Sequence, residues 1–147
     1  MLAIDLTGKR AFVAGVSDDG GFGFAIAKSL AEAGATITLG SWPPALGIFE
    51  NLLERGKMAD SMKLSNGRTL EFERTYPLDA AYDTPADAPA DLRENKRYRE
   101  RGDVSLHGVR EHLQRDFGEQ ARDIVANSHA DRPAAETPLD RRGSSEG

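Results

Sequence analysis

The stretch Ala14-Gly15-Val16-Ser17-Asp18-Asp19-Gly20-Gly21-Phe22-Gly23-Phe24-Ala25-Ile26-Ala27-Lys28 decides how the chain is read. The apolar run Ala11-Phe12-Val13-Ala14 leads into it as a strand, the glycines make a turn, and an amphipathic helix follows. A dinucleotide site needs that order. Glycines let the backbone approach a pyrophosphate, and a helix N-terminus offers unpaired N–H groups and the positive end of its dipole. A glycine-rich turn alone often does no more than bend a chain. Four glycines and two aspartates from Gly15 to Gly23 are extravagant for a bend and favour a pyrophosphate cradle formed by Gly15, Gly21 and Gly23.

Outward from this turn, the spacing predicts a first helix from Phe22 to Ala33. Phe22, Ile26 and Leu30 form its inward face beside Ala27 and Ala31, and Gly34 is its C-terminal cap. Thr36-Ile37-Thr38-Leu39 reads as a second buried strand, ended by Gly40-Ser41-Trp42-Pro43-Pro44. A helix from Ala45 to Glu54 turns Leu46, Phe49, Leu52 and Leu53 inward and stops at Gly56. Lys63 to Phe72 looks like a β-hairpin turning at Asn66-Gly67, an insertion that a minimal β-α-β unit does not need. Its second arm continues into Tyr76-Pro77-Leu78-Asp79 as a third strand. Asp83 to Ala90 is rich in Pro, Asp and Ala and reads as a loop. Ser105 to Phe117 is helical, and Asp123-Ile124-Val125-Ala126 reads as a short fourth strand. The fold class is α/β, a partial Rossmann fold with a parallel sheet ordered 3-2-1-4. Residues 1–126 form an incomplete dinucleotide-binding domain. Residues 127–147 have Leu139 as their only large apolar side chain and read as a disordered tail.

The 147 residues suffice for one domain with a real core. A formal net charge of -5 argues against nucleic acid as a partner. The lack of cysteine excludes disulfides and thiolate chemistry, and His107, His112 and His129 are too dispersed for a metal cluster. No apolar run approaches the length of a membrane span. Leu6-Thr7-Gly8-Lys9-Arg10 already leads into the first strand, so no targeting segment is read in this chain.

Two further positions face the carboxyl edge of such a sheet. Trp42, held by Pro43-Pro44, is placed either to stack on adenine or to pack as a surface aromatic over the next helix. Asp79, followed by Ala80, is placed either to accept from the adenine amino group or to turn a loop or cap a helix. No acidic residue ends the second strand, so position does not separate NADH from NADPH. The charged run Arg93 to Arg101 reads as a solvated surface face. A short-chain reductase dyad of Tyr-x6-Lys is missing: Tyr76, Tyr82 and Tyr98 are followed seven residues later by Asp83, Pro89 and Ser105.

Gly15-x5-Gly21-Phe22-Gly23-Phe24-Ala25-Ile26-Ala27-Lys28, Ser41-Trp42-Pro43-Pro44-Ala45-Leu46, Tyr76-Pro77-Leu78-Asp79-Ala80 and Asn95-Lys96-Arg97-Tyr98 stand in one order and spacing. Together they resemble the NADH-dependent enoyl-acyl carrier protein reductases of plant-plastid and apicomplexan type, within the short-chain dehydrogenase/reductase superfamily. The likeness covers residues 2–118, hairpin and Pro/Asp-rich loop included. It implies reduction of the trans-2 double bond of an acyl carrier protein thioester in fatty acid synthesis, with NAD as cofactor and a homo-oligomer as partner state. A plastid or apicoplast address is implied as well.

Carried over, the resemblance sets Gly15, Ser17, Gly21 and Phe22 along the pyrophosphate and ribose. It stacks Trp42 on adenine and flanks the adenine edge with Asp79 and Ala80. Ser128-His129-Ala130-Asp131 stands where the family has Ser-Leu-Ala-Asn, which adds Ser128 and Ala130 to the cofactor set. Phe22 replaces a family Tyr, Phe24 a Trp and Asp131 an Asn, and the likeness ends beyond Leu139. The segments that carry the family's catalytic Tyr and Lys are not in these 147 residues. The expectation is therefore a cofactor-binding N-terminal part, inactive alone. The alternatives are a non-catalytic module that binds NADH or pairs with a reductase, and a non-functional truncated product.

Overall fold

The computed structural model describes residues 3–118. Three strands, β1 (Arg10–Ala14), β2 (Thr36–Ser41) and β3 (Phe72–Pro77), form a parallel sheet ordered β1-β2-β3. This is the 3-2-1 part of the expected order. The proposed fourth strand, the 126/127 boundary, and Ser128 and Ala130 lie outside the described residues.

Alternation along β1 and β2 assigns the two faces of the sheet. Ala11, Val13, Ile37 and Leu39 meet Phe24 and Ala27 of helix α1 (Phe22–Glu32) and Phe49 of helix α2 (Pro43–Glu54). Phe12, Ala14, Tyr76 and Leu78 meet Val109 and Leu113 of helix α5 (Leu106–Phe117) on the opposite face. A register shift beside Ile37 allows β3 to serve both sides. Phe72 pairs with Ile37 and joins the α1–α2 side, while Tyr76 pairs with Gly40 and joins the α5 side. Without that extra residue, two positions four apart would point the same way.

Several boundaries moved for identifiable reasons. β2 runs on to Ser41 because β3 pairs with it that far. α2 opens at Pro43, not Ala45, since proline suits the first helical turn, where its missing N–H costs nothing. Phe22, expected on the inward face of α1, is 82% exposed, and Phe24 takes the core position. The hairpin is reduced to one antiparallel bridge, Lys63 with Thr69, so β3 starts at Phe72 instead of extending a long second arm. Within the expected loop, Pro85–Asp87 makes one 3-10 turn. Short helices α3 (Ala90–Glu94) and α4 (Lys96–Arg99) follow it. Ser105 caps α5 by accepting from the Gly108 N–H (3.2 Å).

Gly23 sets the approach of α1 to the sheet. A Cβ at this position would lie 2.6 Å from the Gly15 carbonyl oxygen and 3.0 Å from Val16 Cγ2. Backbone cannot yield as a side-chain tip can, so Gly23→Ala is predicted to destabilise the fold by about 1–3 kcal/mol. A lower urea midpoint with unchanged slope is the expected result.

Candidate functional site

Parallel pairing gathers the carboxyl ends of all three strands along one edge. Ala14 lies opposite Gly40, and Gly40 opposite Tyr76. Adjacent strands are separated by about 4.8 Å, so the residues following β1, β2 and β3 span roughly 10 Å. Gly15, Trp42 and Asp79 therefore share that edge.

After β1 the chain turns at Gly15, whose φ of 91° is open to glycine at little cost. The N–H groups of Gly15 and Val16 both donate to the Gly40 carbonyl, at 2.9 and 3.2 Å, which ties the turn to the end of β2. Ser17 is exposed, and Gly21 is the N-cap of α1. No side chain caps this helix and its first turn contains no acid. Its leading N–H groups thus receive no side-chain cap, and the nearest carboxylate is that of Asp18 just before the helix. Asp18 and Asp19 turn their carboxylates into their own surroundings. Asp18 Oδ1 accepts from the Gly20 N–H (2.9 Å), and Asp19 Oδ2 from the Ser61 hydroxyl (2.5 Å).

Trp42 is 48% exposed at the N-cap of α2, leaving much of its indole accessible beside the carboxyl edge. Asp79 is buried just beyond β3. Its N–H donates to the Val104 carbonyl (2.7 Å), and its Oδ1 accepts from the Ala81 N–H (3.0 Å). Its Oδ2 accepts from the Tyr98 hydroxyl (2.9 Å). The loop-turning role of Asp79 is thus present in the fold, and Ala80 is exposed beside it.

Tyr98 is the residue that sequence reasoning passed over. It lies within the charged run read as a solvated face, yet it is buried while its α4 neighbours Lys96, Arg97 and Arg99 are exposed. Burial raises its phenol pKa above the ordinary value near 10, and the bond to Asp79 adds to the rise. Arg101, from the same run, makes a paired contact with Glu50 of α2 at 3.2 and 3.1 Å. A lone aromatic among charges was the available sign, but only the fold shows which carboxylate it meets.

A second buried phenol, Tyr76, donates to Asp116 Oδ2 (2.5 Å) and stacks on His112. Burial, followed by the bond to Asp116, raises its pKa also. Among the described residues no group of three or more His, Asp or Glu is placed to hold a metal, and no helix is long and apolar enough to cross a membrane.

An open parallel α/β sheet with a glycine turn between β1 and α1 defines the dinucleotide-fold class. No family profile matches the chain. Direct relatives are clear. It is 50% identical over 145 residues to the chloroplastic enoyl-[acyl-carrier-protein] reductase [NADH] 1 of Oryza sativa subsp. japonica, covering 97% of this chain and 38% of that protein. It is 48% identical to the chloroplastic enoyl-[acyl-carrier-protein] reductase [NADH] of Arabidopsis thaliana, covering 94% of this chain and 35% of that protein. The crystal structure of the Plasmodium berghei enoyl-acyl-carrier-protein reductase with triclosan superposes with a TM-score of 0.71 and 32% identity, over 75% of this chain and 39% of that one. The chain is thus homologous to part of the enoyl-acyl carrier protein reductases of plant-plastid and apicomplexan type. It spans well under half the length of the curated relatives it matches.

Both buried phenols remain protonated in the fold at a pH where an unfolded tyrosine ionises. The unfolded chain then binds fewer protons, so their stability contribution is complete below about pH 10 and is lost as pH rises beyond it. The expected result is alkaline destabilisation that becomes shallower in Tyr76→Phe. Complete tyrosinate absorbance by about pH 12 with intact circular dichroism would contradict this.

Proposed function

We propose that these residues form the cofactor-binding part of an NADH-dependent enoyl-acyl carrier protein reductase. In this reading Gly15, Ser17, Gly21 and Phe22 receive the pyrophosphate and ribose, Trp42 stacks on adenine, and Asp79 and Ala80 meet the adenine edge. Ser128 and Ala130 complete the cofactor set. The observation that carries the reading is the uncapped, acid-free N-terminus of α1 held against the end of β1 by the close approach at Gly23. The exposure of Phe22 and Trp42 on that edge supports it further.

The nearby aspartates do not weigh heavily against an anionic ligand. In the high dielectric of an exposed turn, two like charges about 4 Å apart repel by only about 1 kcal/mol. Hydrogen bonds to a charged phosphate contribute about 1.5–3 kcal/mol each.

NADH supplies a hydride when bound; this chain's residues bind and orient it. Protonation of the enolate left by hydride transfer needs a positioned acid such as the family's Tyr with its Lys. No Tyr-x6-Lys pair stands in these 147 residues. They hold cofactor without turnover, and the acyl carrier protein thioester, the oligomer and a plastid setting belong to the complete reductase.

Isothermal titration of the purified chain with NADH tests this. Saturable binding is expected, weakened in Trp42→Ala by about 1–3 kcal/mol, or roughly 5- to 150-fold in Kd. No NADH oxidation with a trans-2-enoyl thioester is expected. Absence of saturable binding would overturn the cofactor reading, and measurable turnover would overturn the inactivity.

A further inference from the structure

We propose that Tyr98 is a positioning residue for adenine recognition: its hydroxyl donates to Asp79 and holds the carboxylate in the plane that selects an exocyclic amine. The inference rests on the cofactor reading above and deepens it by naming what makes the site selective for adenine.

Tyr98 is the only buried residue of α4, on a segment otherwise turned to solvent. Its single hydroxyl proton goes to Asp79 Oδ2 at 2.9 Å. One buried bond therefore ties α4 to the end of β3. Asp79 is held at its other oxygen by the Ala81 N–H at 3.0 Å. A carboxylate has about four acceptor directions, so these two bonds fix its plane and thereby the line along which an amine must approach. The paired contact of Arg101 with Glu50 anchors the end of α4 to α2 and keeps the phenol in place. Loss of the hydroxyl would release the carboxylate.

The chemistry separates this role from simple support. An adenine 6-amino group donates to a carboxylate. The hypoxanthine analogue presents a carbonyl oxygen there, which a carboxylate repels. A positioned Asp79 therefore favours NADH over nicotinamide hypoxanthine dinucleotide, and a loosened Asp79 discriminates less. Support alone would weaken both ligands equally.

The test is titration of the wild-type chain and Tyr98→Phe with both dinucleotides. The wild type is expected to prefer NADH, and the variant to bind NADH about tenfold more weakly while the analogue changes little. Equal losses for both ligands, leaving the ratio unchanged, overturn the inference alone. No binding of either ligand to the wild type overturns the cofactor reading and this inference with it. If Tyr98→Phe does not fold, Arg101→Met, which frees the end of α4 from α2, carries the test. A reduced ligand ratio supports the positioning, and an unchanged ratio overturns it.

Discussion

A Cβ on Gly23 would sit 2.6 Å from the Gly15 carbonyl oxygen, and this close approach of α1 to the end of β1 governs the carboxyl edge of the sheet. It brings the first turn of α1 over the strand ends and sets which of its residues reach the core. Phe24 is buried while Phe22 projects outward for that reason. The glycine turn is in turn fixed to β2, since Gly15 and Val16 both donate to Gly40. Gly40 is itself confined, because a Cβ there would meet Phe12 Cζ at 2.8 Å. Turn, helix and the ends of two strands are thus one packed unit.

The register shift in β3 extends this unit to the third strand. It allows Phe72 to pack with Phe24 and Phe49 on one side while Tyr76 packs with Phe12 on the other. The strand then delivers Asp79 to the same edge, with Leu78 donating to the Ser41 carbonyl at 2.8 Å. Arg10, paired with Glu73 at 2.9 Å and lying over the Phe117 ring, closes the α5 side. Phe22, Trp42 and Ala80 remain exposed on this edge when these contacts are made, with Asp79 buried beside them.

Much of this was legible in the sequence because it follows from local chemistry. The strand–glycine turn–helix order, the two buried strands and the α5 helix depend on periodicity. Trp42 and Asp79 were legible by position alone, since parallel strands put their carboxyl ends together. The Tyr98–Asp79 bond was not, because it joins residues nineteen apart through an irregular excursion with no period of its own. The exposure of Phe22 was missed for a related reason: apolar spacing identifies a helix, but the glycine contact at its start rotates the face that is buried. The reduced hairpin shows the converse limit. Asn66-Gly67 correctly marked a turn, and the flanking residues pair at one bridge only.

Amide hydrogen exchange of the chain with and without NADH tests the central claim most directly, because it reads all three strand ends together. The account predicts added protection in Gly15–Phe24, Ser41–Ala45 and Asp79–Ala81, with the Asn66-Gly67 turn unchanged. Saturating NADH that leaves those three segments unprotected, or protects a different surface, would contradict it.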